Sequence, residues 1–320
     1  MVGLLDRAAV DLDSREVLMA VRRVLVTGAS GFIASYIMPG LGGRYELTLL
    51  DVSDVDREGR RVEGVITADL TDPDRSGYQR HFEGVDAVIH LGHKRRSGEP
   101  LDDFHDEMDN IRMVYNVLRC AFNSGVPRVA VGSSNHAADW YEHALIHERK
   151  MEVLDPYAHP LSDNFYGWAK ASYEHLGFLF ACGFPIFQDA SGREVHVSPK
   201  PGPRRLEVVN VRIGAPREIS ASNFEGDPAG YKRDLGAYVS GRDLAQLFRR
   251  AIETPDIENE HGIPWQVVYG ISGNTRAFWS LSNARAVLGY EPEDDSEVRF
   301  ASDILAFLGG DGASGRLGAS

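Results

Sequence analysis

A chain of 320 residues, 43% of them hydrophobic, can bury a large core in one domain, or in one domain with a small lobe. Its net charge of -13, from 34 basic and 47 acidic residues, argues against nucleic acid as a partner, because a phosphate backbone needs a positive face. No apolar run approaches the roughly 18 residues of a membrane span, and Cys120 and Cys182 are too far apart for a CxxC motif, so the expectation is a cytoplasmic protein with neither metal nor disulfide frame.

In chain order, residues 1–18 carry Asp6, Asp11, Asp13 and Glu16 and lack a long apolar stretch, which reads as a flexible extension rather than a signal peptide. Apolar runs follow at 23–27 (RVLVT), 45–50 (YELTLL), 64–68 (GVITA), 85–90 (VDAVIH), 128–131 (RVAV), 206–213 (LEVVNVRI) and 266–269 (QVVY). Continuous Val/Ile/Leu runs are the mark of strands covered on both faces. Helical stretches lie between them. Residues 106–124 place Ile111, Val114, Tyr115, Leu118 and Phe122 on one face, and residues 164–182 form a second long helix. This alternation predicts an α/β fold, a Rossmann-type doubly wound parallel sheet with a small C-terminal substrate-binding portion. One domain spans 19–308, with 19–182 mainly binding a dinucleotide and 183–308 supplying substrate-side segments and returning strands. Residues 137–163 and 183–205 read as insertions or surface loops, and the Gly/Ser-rich tail 309–320 as flexible.

Thr27-Gly28-Ala29-Ser30-Gly31-Phe32-Ile33-Ala34 follows the first strand and opens a helix. Such a turn brings backbone close to a pyrophosphate and aims free N–H groups at it. Asp51 ends the second strand, about 20 residues on, where a carboxylate binds ribose hydroxyls and disfavours a 2′-phosphate, so NAD is expected over NADP. Asp69, followed by Leu70, either brackets the adenine or caps a turn. Gly28, Ser30, Gly31, Phe32, Ile33, Asp51, Asp69, Leu70, Leu91 and Gly92 are the candidate cofactor contacts, together with Tyr166 and Lys170.

Tyr166-Gly167-Trp168-Ala169-Lys170 opens the second long helix. Residues at i and i+4 share a face, so Lys170 lies beside Tyr166 and its charge is expected to lower the phenol from its ordinary value of ~10. Ser134, at the end of the fifth strand, supplies a hydrogen bond to the substrate oxygen. Ser134, Tyr166 and Lys170 are the candidate catalytic residues.

Taken together, TGASGFIA, the acid after the second strand, Asp69-Leu70, His90-Leu91-Gly92, Ser133-Ser134-Asn135 and YGWAK stand in the order of the extended short-chain dehydrogenase/reductases, the superfamily of NAD-dependent epimerases and dehydratases, and the chain resembles it over roughly residues 20–305. Within that superfamily it resembles the uronate dehydrogenases, through His90-Leu91-Gly92, Ser133-Ser134-Asn135-His136, Val211-Arg212-Ile213-Gly214 and VVYGISGNT at 267–275. The resemblance implies oxidation of a sugar or uronic acid at C1 to a lactone, with release of NADH. It implies Tyr166 as the base, Lys170 on the nicotinamide ribose, Ser134, Asn135 and His136 on the sugar, and Arg233 on a substrate carboxylate. It also points to a homodimer through the helices at 106–124 and 164–182.

The chain departs from that pattern at His93-Lys94-Arg95-Arg96, where Arg95 stands in place of a substrate-contacting serine. The cluster reads either as an anion site, for a carboxylate or a sugar phosphate, or as a basic turn paired with Glu99, Asp102 and Asp103. The distance from Ser134 to Tyr166 is also longer than in that family, and residues 183–205 are added. Two other functions stay open: a nucleotide-sugar epimerase that retains its NAD, and a non-catalytic NAD-sensing protein. Dehydration is disfavoured, since Ser134-Asn135-His136 lacks carboxylates.

Overall fold

Strands whose residues are apolar without alternation can only be satisfied between two layers of helices, and the chain builds that arrangement. The structure, a computed structural model, describes residues 21–96, 98, 101–183, 186–188, 191, 194–196 and 205–308. β1 (Arg23–Thr27), α1 (Phe32–Leu41), β2 (Glu46–Asp51), β3 (Val65–Thr67), β4 (Ala87–His90), α2 (Asp103–Ser124) and β5 (Arg128–Ser134) come first. Then follow α3 (Asp139–Tyr141), α4 (Phe165–Cys182), β6 (Ile186–Gln188), β7 (Glu194–His196), β8 (Glu207–Ile213), α5 (Pro228–Ala237) and α6 (Gly241–Glu253). β9 (Trp265–Gly270), α7 (Ser282–Leu288), α8 (Ser296–Arg299) and α9 (Ala301–Leu308) complete the described chain.

Seven strands pair in parallel in the order β3-β2-β1-β4-β5-β8-β9. The chain runs outward from β1 through β2 and β3, then returns to β4 on the other side of β1. That reversal opens a crevice at the carboxyl ends of β1 and β4. One face of the sheet carries α2 and α4, with Met113, Val114, Val117 and Leu118 packed in the same core as Ala169, Tyr173 and Phe180. The other carries α1 and α6. A small cluster of Ile219, Tyr231, Leu235 and Tyr238, covered by Phe300, Ile304 and Phe307, forms the C-terminal portion.

Three expectations change in detail. The stripe that α2 buries is rotated from the predicted one: Tyr115 is 39% exposed, while Glu107 and Asn110 are fully covered. Polar residues occupy the inner face because they serve the site, so apolar spacing alone misplaces it. Residues 137–163 are no surface loop throughout. Asn135–Ala138 forms a 3₁₀ turn, α3 follows, and Glu142–Ile146 is a wide π turn, a form common beside functional sites. Asp139, Glu142 and Leu154 are buried there. Within 183–205, β6 and β7 form an antiparallel pair, and 184–185, 189–190, 192–193 and 197–204 lie outside the described residues, as do the extension 1–18 and the tail 309–320. Among the described residues, no helix is long and apolar enough to cross a membrane.

Candidate active site

The glycine turn is made by close approach. Gly28 has φ +72°, and a Cβ there would lie 2.5 Å from the backbone nitrogen of Gly92, so the loops after β1 and β4 touch. Beneath them, Thr27 Oγ1 lies 2.6 Å from Nδ1 of the buried His90. α1 starts at Gly31 without a side-chain cap, so the N–H groups of its first turn face the crevice unclaimed by any side chain. Asp51 accepts from the Ser30 amide at 3.0 Å and the Val52 amide at 2.6 Å, which ties the end of β2 to the turn. Asp69 Oδ1 accepts from the amide and hydroxyl of Thr71, at 2.9 and 2.7 Å, so it caps the turn and also lines the crevice. A cavity of about 900 Å³ runs along these groups. It is lined by every residue the sequence assigned to cofactor, catalysis or substrate except Arg233, and its narrow, uncapped phosphate cradle suits a dinucleotide.

α4 brings the catalytic candidates together. Asn164 caps it by accepting from the Gly167 amide at 2.9 Å. A Cβ on Gly167 would fall on the carbonyl oxygen of His136, so only glycine lets this helix press against the turn after β5. Tyr166 thereby lines the same cavity as Ser134. Lys170 is buried. Its ammonium donates to the Gly132 carbonyl at 3.0 Å and lies 5.5 Å from the Tyr166 ring centre. Burial lowers Lys170 to about 8, opposed by Glu107 and Glu174. Burial likewise raises the Tyr166 phenol, opposed by the Ser134 hydroxyl and by Arg96. The expected lowering of the phenol by Lys170 is therefore not seen in the protein alone. Desolvation dominates both groups and moves them apart in proton affinity, Lys170 downward and Tyr166 upward.

On the substrate side, His136 Nδ1 is 2.7 Å from the buried carboxylate of Asp139, which also accepts from Asn164 at 3.0 Å. Asn135, with its amide turned to satisfy both neighbours, donates to Ile213 O at 2.9 Å and accepts from Arg233 at 3.0 Å. Arg233 does not line the cavity. Its guanidinium donates to both oxygens of Glu142, at 2.7 and 3.2 Å, and to Asp234 at 3.2 Å. The fork expected to hold a substrate carboxylate is filled by an internal one. The basic turn after β4 is partly a paired turn. Lys94 bridges Asp109 at 2.6 Å and Asp106 at 3.4 Å, and Arg96 meets Asp103 at 2.9 Å and Glu107 at 3.7 Å. Arg95 lines the cavity, is exposed, and makes no ion pair among the described residues.

Residues 24–180 match the family model described as the NAD dependent epimerase/dehydratase family. Across 88% of its length the chain is 31% identical to the NAD-dependent glucose-6-phosphate dehydrogenase of Haloferax volcanii, of which it covers 97%. The chain belongs to the NAD-dependent epimerase/dehydratase family. It is also 31% identical to the uronate dehydrogenase of Pseudomonas putida, over 86% of this chain and 85% of the relative. The crystal structure of uronate dehydrogenase from Agrobacterium tumefaciens superposes with a TM-score of 0.64 at 26% identity, covering 90% of each chain. The protein is accordingly an NAD-using enzyme of the extended short-chain dehydrogenase type, as the motif order implied.

Several residues that organise this family member's site were not singled out from sequence. Glu174 accepts from Ser133 at 2.8 Å and binds Arg212 through both oxygens at 2.8 Å, and Arg212 donates to Tyr269 at 3.1 Å. This buried network locks β5, β8 and β9 to the helix that carries Tyr166. It gives a structural reason for Arg212 and Tyr269 in two of the segments that carried the resemblance. Asn110 accepts from the Lys94 amide at 2.7 Å and donates to its carbonyl at 3.0 Å, fixing the basic turn. Glu174 stands four residues after Lys170, so helical spacing held that signal. Glu142, Glu107 and Asn110 left no such trace.

Proposed function

We propose that the enzyme oxidises the anomeric carbon of a pyranose sugar or sugar acid to a lactone, using NAD. The observation that carries this reading is the meeting of Ser134, Tyr166 and Lys170 in the one cavity that begins at the glycine turn. The names of the two relatives, dehydrogenases of glucose 6-phosphate and of uronates, support a sugar substrate.

Bound NAD supplies the hydride acceptor. Gly28, Ser30, Gly31, Phe32 and Ile33 would hold its pyrophosphate, Asp51 the ribose hydroxyls, Asp69 and Leu70 the adenine, and Leu91 and Gly92 the nicotinamide half. Tyr166 accepts the proton of the anomeric hydroxyl. Ser134 holds that oxygen in line with the phenol. Lys170 carries the positive charge that stabilises the phenolate, and its bond to Gly132 O fixes it between tyrosine and ribose. Asn135 and His136 contact other hydroxyls, and Arg233 serves the sugar pocket through Asn135.

The test is to mix protein, NAD and a panel of free sugars, uronic acids and sugar phosphates, then follow reduced nicotinamide and identify the product. Equimolar NADH and lactone are expected. A sugar isomer formed without NADH would replace this reading by an epimerase that keeps its cofactor.

The exposed aromatic face of α2 and α4 supports a homodimer. Phe104, Met108 and Tyr115 form one stripe, Phe165 and Trp168 another, and Phe104 stacks on Trp168 at 5.6 Å. Sedimentation equilibrium is expected to give twice the chain mass, with Trp168→Glu shifting the species to one chain.

A further inference from the structure

We infer that the substrate is a phosphorylated sugar whose phosphate is held by Arg95 in a second cavity beside Tyr166. The inference rests on the reading of the protein as an NAD-dependent sugar dehydrogenase and names the substrate class of that same site.

The second cavity, of about 410 Å³, is lined by His93, Arg95, Arg96, His136, Asn164 and Tyr166. Two guanidiniums and two imidazoles face it and, among the described residues, no carboxylate does, in a chain of net charge -13. Charge of one sign on a concave wall concentrates the opposite charge. Only part of the positive charge there is spent internally. Arg96 is offset by Asp103 and Glu107, whereas Arg95, on the same wall, pairs with no acid among the described residues. Surface pairing is worth at most ~1 kcal/mol, so a turn built only for stability had little to gain from placing Arg95 here.

The polar atoms around Arg95 extend the same chemistry. Nδ1 of His93 is buried without a protein hydrogen-bond partner. The His93 ring packs edge-on against Tyr166 at 5.2 Å, so it stands where the phenol and the cavity meet. Burial, with Lys170 and Arg96 nearby, lowers His93 to about 3, so it enters as a neutral ring able to donate one hydrogen bond. Arg96 lies over the Tyr166 ring at 5.5 Å. A phosphomonoester dianion has three terminal oxygens and can take the Arg95 fork together with free donors of Arg96, where a planar carboxylate would satisfy one fork and leave the other idle.

The other guanidinium near the sugar pocket points to the same conclusion. Arg233 is neutralised by Glu142, through both carboxylate oxygens, and by Asp234. An acidic group on the substrate finds no unclaimed cation there. The anionic end of the substrate is thus directed to Arg95, with the sugar ring lying between it and the Tyr166 hydroxyl.

The experiment measures kcat/KM with NAD for the 6-phosphates of glucose, galactose and mannose, against the parent sugars and their uronic acids. It is repeated with Arg95→Gln. At least one sugar phosphate is expected to exceed its parent sugar and the matching uronate tenfold or more. Arg95→Gln should lower kcat/KM for that phosphate at least 30-fold more than for the parent sugar. Inorganic phosphate should inhibit competitively against the sugar phosphate. A uronate or neutral sugar turned over better than every phosphate would overturn the inference and leave the dehydrogenase reading standing. An Arg95→Gln loss equal on phosphate and parent sugar would do the same. No NADH from any sugar would overturn both.

Discussion

The guanidinium of Arg233 is gripped by both carboxylate oxygens of Glu142, at 2.7 and 3.2 Å. Glu142 is 2% exposed and also lies 3.2 Å from His147 Nε2. Removing one member of such a pair leaves a buried charge uncompensated, a loss of about 3–5 kcal/mol for fully buried pairs and less here, where Arg233 keeps a fifth of its side chain in solvent. Glu142→Gln is therefore expected to lower the thermal midpoint by several degrees, read by differential scanning calorimetry. It also unblocks the fork, so the KM for uronic acids should fall relative to neutral sugars. An unchanged midpoint together with an unchanged KM ratio would remove Glu142 from this role.

The pH profile follows from two opposed shifts. Burial lowers Lys170 and raises Tyr166, so the first proton to leave the pair on raising the pH leaves near 8. The pair that has lost this proton acts as the base when Tyr166 passes its own proton to the neutral Lys170, which restores the cation beside the phenolate. kcat/KM for sugar oxidation is expected to climb as pH rises through about 8 and to fall below it. Lys170→Met should push the rise to higher pH, because the phenol then ionises without a cation beside it. His90 and His93, held at about 3, stay neutral and contribute no limb near ~6.5. A rise centred near ~6.5 would point to a histidine base instead.

Cofactor choice turns on Asp51. Arg60 and Arg61 are paired with Asp56 and Asp54, while Arg57 lines the cavity and lies 5.1 Å from the Phe32 ring centre. Asp51→Ser removes the carboxylate and keeps a hydroxyl near the Ser30 amide. The KM for NAD should rise by about tenfold and the NADP/NAD ratio of kcat/KM should increase, with Arg57 in reach of the 2′-phosphate. A ratio that stays fixed would assign Asp51 to loop structure alone.

Gly167 tests whether the approach of α4 positions the phenol. Its added methyl would meet the His136 carbonyl, so Gly167→Ala must displace the helix start. Overpacking of this kind costs about 1–3 kcal/mol, and the displacement should reduce kcat at least 100-fold even where the variant stays folded by circular dichroism. A folded variant of unchanged kcat would show that Tyr166 is placed by other contacts.

The strand layout was readable because strands covered on both faces carry unbroken apolar runs, as at 23–27 and 206–213. The residues that line the large cavity were readable because the glycine turn, Asp51 and the i, i+4 pair Tyr166 and Lys170 are short-range patterns. What escaped depends on long-range contacts. Glu107 and Asn110 made the inner face of α2 polar and hid its true register. Glu142 and Asp139 turned part of an apparent loop into a buried support for Arg233 and His136. The sign of the Tyr166 shift also escaped, since it is set by burial rather than by the neighbouring lysine.

The most direct measurement of the account is Tyr166→Phe, assayed side by side for NAD binding by calorimetry and for sugar-dependent NADH formation. The account predicts a Kd for NAD within threefold of the parent protein and a kcat reduced by at least about 100-fold, the scale of general-base catalysis. NADH produced at the parent rate would contradict it.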